Sequence, residues 1–243
     1  MKTKLLLFAL LCAVGLTAQE IDSTVTDGPY LQYYPDSSLQ ISGQYQNGLK
    51  EGMWLSYHKN GLLESMTEWK AGNQHGLVIQ VSERGSVRQQ LVFSNGVQDG
   101  EQRYYFDYGR LSKLENYNMG ILEGKYTKFY NSGKIQEEAV YVHGLKEGKA
   151  TWYFDSGDPS IEYDYVAGEI DGTMTTYYRS GGIKTIGQFK DNELNGDYRI
   201  FYEDGSIKEE GTYQNGKREG SWIKYDAEGQ VSETVKYKNG EVK

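Results

Sequence analysis

The sequence predicts an all-β chain: an elongated single-layer antiparallel β-sheet solenoid of about nine stacked 24-residue β-hairpins. Two observations carry the prediction. Glycines recur at a fixed spacing of 24 in three ladders, and each stretch between them holds two short runs rich in aromatic and branched residues. An uninterrupted period of this length marks a repeat array, and short apolar runs with glycine at both ends mark hairpins.

The first ladder is Gly48, Gly72, Gly96, Gly120, Gly144, Gly168, Gly216 and Gly240, with Asn192 the exception. The second runs from Gly52 to Gly220 and the third from Gly61 to Gly229, both unbroken. The array covers 24–243 in units of about 24–47, 48–71, 72–95, 96–119, 120–143, 144–167, 168–191, 192–215 and 216–239. In the first unit Ser37 replaces the turn glycine. Unit 72–95 is weak, with Val81 and Ser82 where aromatics usually stand. In unit 144–167 Pro159 takes the aliphatic place, and Ile161 is expected to assume it through a bulge.

In unit 48–71 the turn reads Lys59-Asn60-Gly61. Glycine is fixed only at the third place, so a three-residue loop with a type I turn and a left-handed glycine is expected. That loop sets Tyr57 opposite Leu63. Positions 57, 63 and 69 (here Tyr57, Leu63 and Trp69) are then expected on one side of the sheet, two aromatics and one aliphatic per unit. A lone hairpin is marginal, so stability must come from stacking neighbours.

Lys2 and Lys4 precede an apolar run from Leu5 to Leu16, followed by Leu16-Thr17-Ala18. This is the pattern of a secretory signal peptide over residues 1–18, with 19–23 a short N-terminal segment. Lipidation at Cys12 is disfavoured by Leu11, where a small residue is wanted. Cleavage takes the charge from -8 to -10, because Lys2 and Lys4 leave, and removes the only cysteine. The acidic balance argues against nucleic acid, and the mature chain has no long apolar run for an integral membrane segment. The expected location is exported: periplasm, outer-membrane surface or secreted.

The pattern Tyr-x-Asn-Gly-x-x-x-Gly-x-Trp-x-x-Tyr-x-x-x-Gly, at Tyr45–Gly61 and nearly intact at Tyr213–Gly229, resembles the bacterial MORN-repeat variant and the YwqK-like family described as an antitoxin component. The resemblance implies a MORN-type single-layer scaffold with no catalytic residues to transfer. An antitoxin role would require an extracytoplasmic target if the leader is cleaved.

Position 58 carries a second aromatic ladder, strongest at Phe106, Tyr130, Phe154, Tyr178 and Tyr202. It alternates with position 57 and so points to the opposite face, together with Trp54, Tyr126, Tyr198, Trp222 and Trp152. Phe106, Tyr130, Trp152, Phe154, Tyr178 and Tyr202 are the candidate partner-binding residues, as an aromatic platform for a protein or a glycan. The other reading buries both faces under neighbouring units. Position 51 is acidic at Glu51, Asp99, Glu123, Glu147, Asp171 and Glu219. Carboxylates about 9–10 Å apart cannot share one cation, so they are expected to accept turn N–H bonds. His58, His75 and His143 have no metal-like spacing. No catalytic, cofactor-binding or metal-binding residue is expected. The expected function is a non-enzymatic exported scaffold for a protein partner. The alternatives are an antitoxin- or immunity-like protein, a glycan-binding module, or an envelope hydrolase using Glu162 and Asp164.

Overall fold

The computed structural model describes residues 27–243. The expected leader, the segment 19–23 and the first residues of the array lie outside the described residues. In chain order the strands are β1 (Gly28–Tyr33), β2 (Leu39–Gln46), β3 (Leu49–Tyr57), β4 (Leu63–Lys70), β5 (Asn73–Val81), β6 (Val87–Ser94) and β7 (Val97–Gln98). There follow β8 (Gly100–Tyr105), β9 (Leu111–Asn118), β10 (Ile121–Leu122), β11 (Gly124–Phe129), β12 (Ile135–Val142), β13 (Leu145–Tyr153) and β14 (Pro159–Val166). The last are β15 (Glu169–Tyr177), β16 (Ile183–Lys190), β17 (Glu193–Phe201), β18 (Ile207–Gln214), β19 (Lys217–Tyr225), β20 (Val231–Lys238) and β21 (Glu241–Val242). All pair antiparallel with chain neighbours in one open sheet of nine hairpins.

Each hairpin closes with the expected three-residue loop. In β3–β4 the His58 amide donates to Leu62 O at 2.8 Å, the Gly61 amide donates to His58 O at 2.8 Å, and Gly61 has φ 83°. Glycine bears that left-handed backbone without a Cβ clash. Tyr57 pairs with Leu63, as the loop length requires.

Consecutive hairpins are joined by a second, tighter turn. Lys70 pairs with Asn73, and the two residues between them, Ala71 and Gly72, have φ 46° and 77°. Positive φ at both central residues is the type I′ turn, whose twist matches the flanking strands. Asn192 is therefore no defect in the first ladder. Its φ is 65°, a conformation asparagine tolerates better than other side chains. The joints also stack: the Gly72 amide donates to Lys50 O at 2.9 Å, and Gly144 to Leu122 O and Gly216 to Leu194 O do the same.

The side assignment of the three ladders needs correction. After Tyr57↔Leu63 the register steps to Ser56↔Ser65, so Glu64 has no partner. This one-residue bulge recurs in every hairpin, and it reverses which face the returning strand presents relative to its partner. Trp69 consequently pairs with Gly52 and shares a face with Trp54 and Thr67, away from Tyr57. Ring contacts agree: Tyr213 and Tyr237, both at position 69, meet the Trp222 ring edge-on at 5.0 and 6.5 Å. Pro159 keeps the ordinary place opposite Tyr153, and Ile161 lies opposite Trp152, so Ile161 does not replace it.

The core is thus the face of positions 54, 67 and 69. Trp54, Val78, Ala150, Met174 and Trp222 at position 54 are buried, as are Thr67, Leu91 and Ala139 at position 67. Burying one large apolar side chain contributes roughly 1.5–3 kcal/mol. Tryptophan also serves the backbone here. At each joint a left-handed glycine such as Gly76 (φ 77°) bulges the strand, and one residue of the facing strand has no ladder partner: Glu68 there, Gly43 and Gly211 at the two tryptophan joints. Beside the latter the indole N–H of Trp54 donates to Gln44 O and that of Trp222 to Thr212 O, both at 3.2 Å. Gln102, fully buried, replaces the indole in its unit: its Nε2 donates to Val92 O and its Oε1 accepts from the Val92 amide.

Candidate functional site

The position-58 rings emerge at the end of the outgoing strand, where the three-residue loop begins. All are half-buried. Tyr130 Oη donates to Tyr153 O at 2.6 Å, Tyr178 Oη to Phe201 O at 2.6 Å, and Tyr202 Oη to Tyr225 O at 2.9 Å. Each tyrosine therefore ties its loop to the strand end of the next unit. His58 does the same through Nε2, 2.8 Å from Val81 O. Phe106 and Phe154 keep the ring without the hydroxyl, and the Arg179 guanidinium lies 5.0 Å from the Phe154 ring centre. Trp152 meets Tyr163 edge-on at 5.9 Å within the core face. The six candidates thus lie along one row of loops plus one core position, each with contacts inside the array.

The carboxylates of position 51 accept turn amides of the following joint. Glu51 receives the Ala71 amide at 2.7 Å, Glu123 the His143 amide at 2.7 Å, Glu147 the Ala167 amide at 2.8 Å and Glu219 the Asn239 amide at 2.7 Å. Asp99 is longer, 3.3 Å from the Met119 amide, and His75 occupies the place with its Nδ1 toward the Asn95 amide. Asp171 pairs with Lys190 instead. Asp27 accepts from the Gly48 amide, and that bond, with one from Asn47, holds its carboxyl below the usual range.

Charged pairs enter the core face in several units, with Arg218 and Glu209 3.0 Å apart in one of the last joints. Glu115 is buried and pairs with Lys113 at 2.8 Å; Glu137 pairs with Lys146 at 2.8 Å. Lys146 also lies over the Trp152 ring at 4.6 Å. Burial first, then the Glu115 carboxylate, pushes the Tyr104 hydroxyl up to about 12; burial, then Glu137 and Glu115, does the same to Tyr126. On the opposite face Glu162 accepts from Lys149 Nζ at 2.9 Å and Tyr177 Oη at 3.1 Å, while Asp164 accepts the Thr173 amide at 3.1 Å. Both carboxylates of the hydrolase alternative are engaged by neighbours. Among the described residues no three His, Cys, Asp or Glu side chains converge on one point, and no helix is long and apolar enough to cross a membrane.

One surface escapes the sequence reading. Along the edge formed by the type I′ turns, Met119, Ile121, Val142, Leu145 and Val166 are exposed, Met119 at 63%. Side chains at position 49 lie against the turn glycine of the next unit. A Cβ added to Gly120 would sit 3.6 Å from Val97, one on Gly144 3.7 Å from Ile121, and one on Gly168 3.2 Å from Leu145. The result is an apolar strip across successive joints. Next to it the same positions turn polar: position 49 reads Asn73 on one side, with Leu49 one unit further, and Glu169, Glu193 and Lys217 on the other; position 70 reads Lys70, Ser94 and Asn118, then Lys190, Gln214 and Lys238. The signal was present as a local break in the polar columns flanking the turn glycines.

Five segments, residues 26–47, 122–143, 170–191, 194–215 and 218–239, match the family described as MORN repeat variant. No curated protein matches the chain. Among solved structures, one described as the crystal structure of TcdB2-TccC3-Cdc42 aligns at 11% identity with a TM-score of 0.19. That alignment covers 85% of this chain and 14% of the other, so this chain spans a small part of that one's length.

Proposed function

We propose, from the premise that the chain is built of MORN-variant repeats, that it is a non-enzymatic scaffold that binds a protein partner through the apolar strip on its turn edge. The strip carries the reading. The repeat supplies its own control, because the same structural positions are polar in the units immediately on either side, at Asn73 and Glu169. Exposed apolar clusters rimmed by polar residues are the usual mark of a protein contact. A repeat array suits this use, since it holds a row of side chains at fixed spacing without needing a pocket. Export follows from the leader-like N-terminus, and the partner would then be met outside the cytoplasm.

The test is site-specific photo-crosslinking in the producing cells, with the probe residue at Ile121 or Leu145 and, as controls at the same structural position, at Glu193 or Lys217. The expected result is one protein adduct at Ile121 and Leu145, lost when Met119, Val142 and Val166 are changed to serine. Adducts of equal yield at the control positions, or none at Ile121 and Leu145, overturn the proposal.

A further inference from the structure

The two ends of the described sheet fit each other. Among the described residues β1 pairs only with β2, and β20 is covered on its outer side only by β21, through Tyr237↔Val242 and Lys238↔Glu241. The stretch Val231–Val235 has a free edge. Its counterpart in β4 is not free: Ser65, Met66 and Thr67 pair with Gln80, Ile79 and Val78 of β5. Carried forward by whole repeats, Ser65, Met66 and Thr67 become Glu233, Thr234 and Val235; carried backward, Gln80, Ile79 and Val78 become Gln32, Leu31 and Tyr30. We propose that β20 of one copy pairs with β1 of a second copy in the register Glu233↔Gln32, Thr234↔Leu31, Val235↔Tyr30, so that the sheet continues head to tail across molecules.

Two observations support this occupant. First, side chains that are covered at internal joints are bare at the ends. Leu31 and Tyr33 are each 54% exposed and Val231 59%, whereas Leu55, Tyr57 and Leu63 at the same positions are half-buried. Second, the proline in β1 does not obstruct. Pro29 corresponds to Leu77, which falls in the joint bulge between Val78 and Gln74 and has no ladder partner there. An edge proline at that place loses no ladder bond. At this joint Lys243, whose amide bonds Lys236 O at 2.9 Å, already fills the place that position 51 takes at internal joints, so the intermolecular ladder begins beyond Asp27. Joining unlike ends is a heterologous contact that does not close at a dimer.

The experiment uses the full chain with Cys12 changed to Ser, carrying Leu31→Cys and Thr234→Cys. These two residues lie directly opposite in the proposed register, within disulfide reach. Mild oxidation is expected to give a ladder of covalent species beyond the dimer. A control with Leu31→Cys and Val235→Cys, displaced by one residue and so on opposite faces, is expected to give little. Sedimentation of the cysteine-free protein should show mass rising with concentration. A monomer mass at every concentration, a limit at the dimer, or equal cross-linking from the displaced pair overturns the proposal. None of these changes touches the turn-edge strip, so the two readings fail separately.

Discussion

Gly211 lies beneath the indole of Trp222, so close that a Cβ added there would sit 2.3 Å from the ring. Gly43 beneath Trp54 is the same pair one end of the array away, and Gly187 beneath Tyr198 is a third, with the added Cβ 2.9 Å from the tyrosine ring. Across each of these joints the large residue at position 54 rests on the absent side chain at position 67. At several joints where position 67 is filled, position 54 is smaller: Thr67 meets Val78 and Ala139 meets Ala150, while Tyr126 keeps its ring across from Glu115. The core is thus fitted joint by joint between facing strands. Gly211→Ala should destabilise the protein by about 1–3 kcal/mol through overpacking. Gly211→Ala combined with Trp222→Val should be less stable than the parent, and the cost of Gly211→Ala in that background should be far smaller. Urea unfolding of the four proteins measures the coupling; equal costs of the alanine in both backgrounds would contradict the packing account.

The tyrosine ties between loops give a second prediction. Tyr178→Phe keeps the ring and loses the bond to Phe201 O. The expected cost is about 0.5–1.5 kcal/mol. Tyr130→Phe, two units away, should cost a similar amount, and the double variant should show the sum, since the sites share no contact. Denaturant midpoints decide this; no loss in either single variant would mean that water replaces the bond freely.

Turn chemistry predicts a gain. Ala71 and Ala167 adopt left-handed backbone, with φ 46° and 50°. Four other joints place asparagine there, at Asn47, Asn95, Asn215 and Asn239. Ala71→Asn and Ala167→Asn should each stabilise by roughly 0.5–1 kcal/mol, since asparagine tolerates this backbone and alanine does not. A melting temperature that falls in both variants would contradict the turn assignment.

Alkaline pH offers a fourth. Tyr104, Tyr126 and Tyr153 are each raised to about 12, burial being the largest cause. A group whose folded pKa is raised holds its proton longer in the folded chain. Its contribution is complete below the unfolded value of about 10 and is lost as pH climbs through the folded value. Stability should therefore hold up to about pH 10 and decline toward about pH 12. Tyr153→Phe should flatten part of that decline. Stability that is constant across the window would place these hydroxyls in water.

The hairpin array, the three-residue loops and the bonding of the position-51 carboxylates were legible in the residues, because each follows from local chemistry repeated many times. The face of position 69 was not. Parity counting from Tyr57 through Leu63 to Trp69 holds only if every residue is paired, and Glu64 is not. Its equivalents, such as Arg88, Ser112 and Lys208, are polar residues of no distinctive type, so nothing in the composition announces a bulge. The strip at Ile121 and Leu145 was obscured for another reason: attention to what recurs hides a feature made by departure from it.

The stacking of joints, in which each turn amide reaches a carbonyl only one unit back, has a consequence for the history of the chain. Every bond is drawn between next neighbours, so no unit has a partner far along the sequence to lose. Excising or duplicating one whole period would bring together two strand ends that already know how to meet. Length is then a quantity that recombination can adjust while the folding code stays the same, and the distance between a seat for one ligand and an end of the ribbon becomes a heritable ruler.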